Sequence, residues 1–135
     1  MTATTTRPLA MGEPLDRVLN LETGVRGTAV KNVPSTLPLL DSHFPNFPVL
    51  PGVLVLESMV AVAVLVADGG SWRLRSAHRV RFRHFVRPGD QVVISAAVTM
   101  AAGEIVEATA AAEVGATLVA SARRLVLERQ PGAIA

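Results

Sequence analysis

The sequence predicts an α+β fold, in which a curved antiparallel sheet of about six strands wraps around one long central helix. Two observations carry this prediction. The apolar run at residues 51–67 is longer than a usual strand and begins and ends at residues typical of helix termini. The segments on both sides of it alternate apolar and polar residues, as half-buried strands do. One sheet around one helix is the simplest way to bury that helix.

Composition restricts the class of protein. The chain has 135 residues, which is typical of one domain, and half of them are hydrophobic. It has no cysteine, which excludes disulfides, thiolate metal sites and a cysteine nucleophile. The formal net charge of +2 is far below the basic surplus of a nucleic-acid-binding domain. No glycine-rich nucleotide loop, serine-nucleophile motif or cluster of metal ligands is present in the sequence, so we expect no metal.

The domain is expected to cover residues 13–129. Residues 1–12 are rich in threonine and predict a flexible tail without the apolar core of a signal peptide, and residues 130–135 predict a frayed C-terminus. A cytoplasmic protein is the expectation from this segment and from the missing cysteines.

The N-terminal part predicts a hairpin followed by a stiff loop. Residues 14–21 and 24–33 alternate in hydrophobicity, and turn residues separate them. Prolines break the chain repeatedly between Pro34 and Pro51, so this stretch, which includes His43, predicts a loop.

The apolar run predicts a central helix at residues 51–67. Pro51 suits the first turn, and Gly69 with Gly70 supplies a stop. The helix is apolar on nearly all sides, which predicts that it is buried. The run has nearly the length of a membrane span, but Glu57 lies near its middle, where a carboxylate costs roughly 2.5–3.5 kcal/mol. We therefore expect no membrane span.

Four strands are predicted after the helix. The first, Trp72 to Val86, alternates, and a turn at residues 87–90 ends it. Its odd positions form a basic face made of Arg73, Arg75, Arg79, Arg81 and Arg83. Its even positions form the other face, made of Leu74, His78, Val80, Phe82 and Val86. The remaining strands are Gln91–Met100, Glu104–Val114 and Thr117–Leu127, with Gly103 and Gly115 between them.

Three residues are candidates for chemistry. His43, in the rigid loop, is either a general base or a loop histidine bonded to the backbone. Glu57 is a lone carboxylate among apolar helix neighbours, so it is either a functional acid or a side chain that pairs with an arginine at a subunit edge. Gly52, at the helix start, places a backbone N–H where a developing oxyanion would be stabilised, or is a simple turn glycine.

The basic face also has two interpretations. It is either a solvated strand face or a docking surface for an acidic partner, such as an acidic carrier protein or the phosphates of coenzyme A. No aromatic stacking residues lie among the arginines, so nucleic acid is not expected as a partner.

Residues 43–58, H-F-P-N-F-P-V-L-P-G-V-L-V-L-E-S, resemble the mark of the FabZ-type 3-hydroxyacyl-(acyl-carrier-protein) dehydratases, H-F-P-G-x-P-x-x-P-G-V-L-x-x-E-A. The histidine and the glutamate have the same separation as in that family. Residues 81–90, R-F-R-H-F-V-R-P-G-D, resemble the family's R-F-R-x-P-V-x-P-G-D, and residues 29–33, A-V-K-N-V, also match. The similarity spans roughly residues 15–128.

The resemblance implies a hotdog fold and a dimer whose sheets join edge to edge, with the histidine of one protomer facing the glutamate of the other. His43 would take the C2 proton of a 3-hydroxyacyl thioester, Glu57 would protonate the departing hydroxyl, and the Gly52 N–H would polarise the carbonyl. Phe44, Phe47, Val53 and Phe82 would line the acyl tunnel. Arg79, Arg81, Arg83 and Arg87 would meet the acyl carrier protein. No cofactor is implied, because phosphopantetheine arrives on the carrier.

The chain departs from the family pattern at Asn46, Ser58, Ala61 and His84, where the family has glycine, alanine, glutamine and often arginine. The catalytic pair is intact. These departures leave open whether the substrate belongs to fatty-acid or to polyketide or polyene biosynthesis, and whether the dimer is a homodimer or a heterodimer with a related dehydratase subunit. The alternatives are a non-catalytic or half-catalytic partner subunit and a hotdog acyl-thioesterase.

Overall fold

One helix and six strands make up the part of the protein that is described here, residues 14–34, 50–67 and 71–131 of a computed structural model. In chain order they are β1 (Arg17–Glu22), β2 (Arg26–Asn32), α1 (Gly52–Val66), β3 (Trp72–Phe82), β4 (Gln91–Ala102), β5 (Ile105–Val114) and β6 (Thr117–Arg129). The predicted tail at 1–12, the loop with His43 and the last residues of the predicted frayed end lie outside the described residues. The α+β class and the order of elements are confirmed.

The six strands form one antiparallel sheet in the order β1-β2-β4-β5-β6-β3. Strands β1 and β3 are therefore its two edges. Helix α1 contacts all six strands and packs most extensively on β4. This is the hotdog arrangement, a sheet around a central helix, that the resemblance implies.

Helix α1 is held at its C-terminal end by the β1–β2 hairpin. The N–H of Gly24, in the hairpin turn, donates to the carbonyl of Val66 at 2.7 Å, which satisfies one of the carbonyls that a helix end leaves unpaired. Gly27 in β2 permits the close approach, because a Cβ there would lie 2.9 Å from Val66 Cγ2. Within the described ranges, α1 is not long and apolar enough to cross a membrane.

Only one face of α1 is fully covered. The buried positions are Val55, Ser58, Met59, Val62, Ala63 and Val66. Along the opposite side, Val53 is 66% exposed and Leu65 is 36% exposed. The sequence predicted a helix buried on nearly all sides. Among the described residues the sheet covers one side of α1, and an apolar stripe on its other side is half-buried or exposed.

The inner faces of β4, β5 and β6 form most of the core with the helix, and alanine is most frequent on β5, where Ala108, Ala110 and Ala112 are buried. Small side chains on these strands allow a helix of bulkier residues to approach the sheet. Met59, Ile94, Leu125, Leu127, Val62 and Val66 are the largest side chains that are fully buried.

The predicted alternation of β3 is broken twice. A register shift against β6 falls between Leu74 and Ser76, and Arg79 has a left-handed backbone with φ of 54°. Each irregularity reverses which residues face the core. The inward residues are Trp72, Leu74, Ala77, Val80 and Phe82, which pair with Arg129, Leu127, Leu125, Ala122 and Ala120 of β6.

Two predicted members of the inner face are corrected by this geometry. His78 is exposed and pairs with the exposed Arg124, so it lies on the outer face. Val86 is not part of the strand, because β3 ends at Phe82. Val86 instead forms an isolated antiparallel bridge with Leu50, just before the helix.

Candidate active site

The first turn of α1 leaves its backbone amides without a side-chain cap. Pro51 occupies the N-cap position with φ −57° and ψ 141°, makes no capping hydrogen bond, and no acidic residue lies in the first turn. The amides at the start of a helix carry the positive end of its dipole. The start of α1, at Gly52, is therefore suited to an oxygen that gains negative charge.

Gly52 lies directly against the aromatic ring of Phe82, at the end of β3. A Cβ added at Gly52 would lie 3.2 Å from ring atoms Cδ1 and Cε1 and 3.3 Å from Cγ. The sequence suggested that Gly52 offers its N–H to an oxyanion or is a simple turn glycine. The structure gives another reason for the glycine, because the neighbouring ring already fills the position of a side chain.

The R-P-G-D turn after β3 fixes the start of the helix. The N–H of Leu50 donates to the carbonyl of Val86 at 2.6 Å. The carboxylate of Asp90 accepts from the N–H of Arg87 at 2.8 Å and so closes the turn. The same turn is attached to β2, since the N–H of Val33 donates to the Asp90 carbonyl at 2.9 Å. The segments at residues 29–33 and 81–90, which both match the family pattern, thus meet at the helix start.

An open pocket of about 410 Å³ adjoins this place and is lined by Phe82, Arg83, His84, Phe85 and Arg87. Phe82 is 51% exposed and Phe85 is 55% exposed. The two rings line the same pocket, and an exposed apolar patch of this kind can mark a binding surface. Phe82 had been predicted for the tunnel, whereas Phe85 and the pocket position of His84 had not. Phe85 stands where the family pattern has proline, and that difference was the available signal.

Glu57 lies one and a half turns along α1 from Gly52, on the side of the helix that the sheet does not cover. Its side chain is half-buried, as are those of Val60, Ala61 and Val64 on the same side. Glu57 makes no hydrogen bond or ion pair with any residue in the described part of the chain. The carboxylate is thus set in an apolar stripe and is available to a group from elsewhere.

The four arginines predicted to dock a partner fall into two groups. Arg83 and Arg87 line the pocket, whereas Arg79 and Arg81 lie on the edge strand β3. All four side chains are exposed. Their guanidinium groups have no acidic partner in the segments that the structure describes, so all four charges are available to an anion.

The other predicted site residues, His43, Phe44 and Phe47, lie outside the described residues, and the predicted acid–base pair is therefore represented here by Glu57 alone. Among residues 14–34, 50–67 and 71–131, no group of three histidine, aspartate or glutamate side chains is arranged to hold a metal ion.

Comparison with solved structures supports the fold. The dehydratase heterocomplex ApeI:P from Xenorhabdus doucetiae matches with a TM-score of 0.72 at 16% identity, over 92% of this chain and 89% of that chain. An uncharacterized protein from Pyrococcus horikoshii matches with a TM-score of 0.74 at 14% identity, over 97% and 96%. At such identities the likeness concerns the fold.

Sequence relatives are closer. A 3-hydroxyacyl-[acyl-carrier-protein] dehydratase FabZ of Desulforamulus reducens is 40% identical over 114 residues, covering 80% of this chain and 80% of the relative. The FabZ of Pelotomaculum thermopropionicum is 37% identical over 121 residues, covering 85% and 86%. The model of the ApeI-like family, described as ApeI dehydratase, matches residues 21–120. The chain therefore belongs to the ApeI-like family of dehydratases and is a relative of FabZ.

Proposed function

We propose that this protein dehydrates a 3-hydroxyacyl thioester, carried on acyl carrier protein, to the trans-2-enoyl thioester. The observation that carries the proposal is the spacing of two groups on α1: the amide of Gly52 at the helix start and the carboxyl group of Glu57 five residues later. Five residues of helix correspond to a rise of about 7.5 Å. That length accommodates a thioester carbonyl bonded to the amide and, two carbons further, a C3 hydroxyl within reach of the carboxyl group, directly or through one water.

The proposed chemistry uses general acid–base catalysis. His43, assigned by the resemblance, takes a proton from C2, the electron pair forms the C2–C3 double bond, and the C3–O bond breaks. Glu57 gives its proton to the departing hydroxyl, which leaves as water. The Gly52 N–H donates to the carbonyl oxygen as negative charge develops on it. The reaction balances without a metal or a redox cofactor, and phosphopantetheine is part of the substrate.

A second hotdog chain completes the proposed site. The inward residues Leu74, Ala77 and Val80 of the edge strand β3 are only half-buried, whereas inward residues of β4, β5 and β6 are almost fully buried. The uncovered stripe of α1 is also apolar. An apolar helix stripe and an apolar edge strand in one chain indicate burial against another chain. In a dimer formed by pairing of two β3 edges, the resemblance implies that His43 of one chain faces Glu57 of its partner.

The pocket at the helix start supports delivery by a carrier protein. It shares Phe82 with the helix start, because that ring lies against Gly52, and its cationic residues Arg83 and Arg87 suit the phosphate of a phosphopantetheine arm. Arg79 and Arg81 extend the positive charge toward the edge of the sheet, where an acidic carrier would dock. The pathway would be fatty-acid, polyketide or polyene biosynthesis in the cytoplasm.

One comparison favours a second candidate. The similar structure from Xenorhabdus doucetiae is a heterocomplex of dehydratase chains. This chain would then be one subunit of such a pair, inactive or half-active alone. Activity that is absent from the purified chain and returns on addition of a related hotdog subunit would select this candidate.

Turnover of a 3-hydroxyacyl carrier protein by the purified chain tests the proposal, with the enoyl product identified by mass spectrometry. We expect Glu57→Gln and His43→Ala each to reduce the rate by at least about a hundredfold, the lower range for loss of a general acid or base. Gln91→Glu, an exposed change on β4, is the control. Activity that survives both substitutions contradicts the mechanism, and release of free acid without enoyl product would identify a thioesterase.

A further inference from the structure

The outer face of the edge strand β3 carries charge of one sign. Residues 72–89 contain six arginines and two histidines but no acidic residue. Within β3 itself the exposed side chains are Arg73, Arg75, His78, Arg79, Arg81 and Phe82. An edge strand offers unpaired backbone groups to another strand, so these charges surround the place where a second chain would join.

Few carboxylates neutralise this face. Arg73 is bonded to Glu128 of β6 at 2.7 Å. Glu107, two strands away on β5, pairs with Arg124 of β6 at 3.4 Å. Arg75, Arg79 and Arg81 form no ion pair with the part of the chain that the structure describes, so their charges remain uncompensated.

A twofold pairing of two identical β3 edges would bring these charges together. When two antiparallel strands pair, residues on one face of the first strand lie opposite residues on the same face of the second. The outward positions of β3 are basic apart from Ser76, so a change of register exchanges one basic neighbour for another. Like charges directly opposite each other across a strand pair are destabilising.

We propose that the β3 edge disfavours pairing with its own copy and fits a second hotdog chain whose corresponding edge strand carries acidic or uncharged outward residues. This inference rests on the edge-to-edge assembly of the proposed function and names the chemistry of the partner. The inward side of β3, with Leu74, Ala77 and Val80, supplies non-specific apolar burial. The outward charges decide between partners, since specificity is a difference between two affinities.

The effect is large enough to measure. Two opposed charge pairs correspond to a difference of roughly twofold to thirtyfold in the dissociation constant, which is about 0.4–2 kcal/mol. The Debye length falls from about 10 Å at 0.1 M to about 3 Å at 1 M salt, so high salt should remove most of this difference.

The test uses the full-length chain and a charge-reversed variant of it, Arg75→Glu/Arg81→Glu, with different mass tags. After mixing at low salt, native mass spectrometry gives the fractions of the two like dimers and the mixed dimer. Random mixing gives as many mixed dimers as like dimers. We expect the ratio of mixed to like dimers to be several-fold higher at low salt and to return to one in 1 M salt. We also expect the unmodified chain to self-associate more tightly as salt rises.

The control variant, Arg17→Glu/Arg26→Glu, has the same change of net charge but places it on β1, the other edge of the sheet, and on the neighbouring β2. Mixing with this variant should give the statistical distribution. Statistical mixing with the β3 variant, or an equal excess with the control, overturns the charge inference but leaves a two-chain site intact. Chains that stay monomeric and active in every mixture overturn the proposed shared site as well.

Discussion

The ring of Phe82 lies against Gly52, so that the end of the edge strand and the first residue of the helix occupy one another's space. A Cβ on Gly52 would be 3.2 Å from the ring. Phe82 also lines the pocket beside the helix start. The amide of Gly52, which is proposed to bind the thioester carbonyl, is therefore positioned by Phe82, and the same side chain lines the pocket.

Gly52→Ala is predicted to reduce activity without reducing stability. The ring is half-exposed, so it moves by a few tenths of an ångström into the pocket, and alanine favours the helix over glycine by up to about 1 kcal/mol. Misplacement of the substrate on this scale should lower kcat/KM by about tenfold. Measurement of kcat/KM, together with the free energy of unfolding in urea, separates the two effects.

The control uses the smaller side chain of leucine at position 82. Adding Gly52→Ala to Phe82→Leu should lower kcat/KM hardly further than Phe82→Leu alone. A further loss of about tenfold in kcat/KM would contradict a role for the Gly52–Phe82 contact.

Ser58→Ala is predicted to destabilise the protein by about 1 kcal/mol. Ser58 is 4% exposed, and its hydroxyl donates to the carbonyl of Pro14 at 2.7 Å, which ties the segment before β1 to the helix. Alanine leaves that carbonyl without its partner. Ser95→Ala, on the exposed face of β4, should change the free energy of unfolding by less than about 0.5 kcal/mol. Equal effects of the two substitutions would show that the bond contributes nothing.

Arg79→Gly is predicted to be more stable than Arg79→Ala, although glycine is a poor strand former. Arg79 has φ of 54°, where a side chain costs about 1–2 kcal/mol. Glycine avoids that cost. Its flexibility in the unfolded chain lowers the free energy of unfolding by about 0.5–1 kcal/mol relative to alanine. Both substitutions remove the same guanidinium, so the difference in unfolding free energy isolates the backbone. At Arg81 the order should reverse, and the same order at both positions would argue against strain at Arg79.

The sequence was sufficient for the elements and their order, because long periodic segments and helix boundary residues are local signals. It was misleading for β3, where strict alternation placed His78 with Leu74 and Val80. The bulge between Leu74 and Ser76 and the left-handed Arg79 reverse the faces, and both depend on pairing with β6. A sequence read alone contains no information on that pairing.

The residues of the candidate site also fall into two groups, those that the sequence identified and those that required the fold. Gly52 and Glu57 were identified because a helix start and a lone carboxylate are visible in the sequence. The contact between Gly52 and Phe82 joins residues thirty positions apart and required the fold. Phe85 was overlooked because one phenylalanine in a turn segment has no periodic signal. Its replacement of the family's proline was visible in the sequence, and its exposure in the pocket shows why it matters.

Complementation between two inactive variants tests most directly whether the site is shared between chains. His43→Ala and Glu57→Gln are each expected to be inactive alone. In a mixed dimer one of the two sites combines His43 of one chain with Glu57 of the other, so random mixing should restore about a quarter of the activity per chain. A mixture as inactive as its components, in which mixed dimers are present by native mass spectrometry, would contradict the shared site.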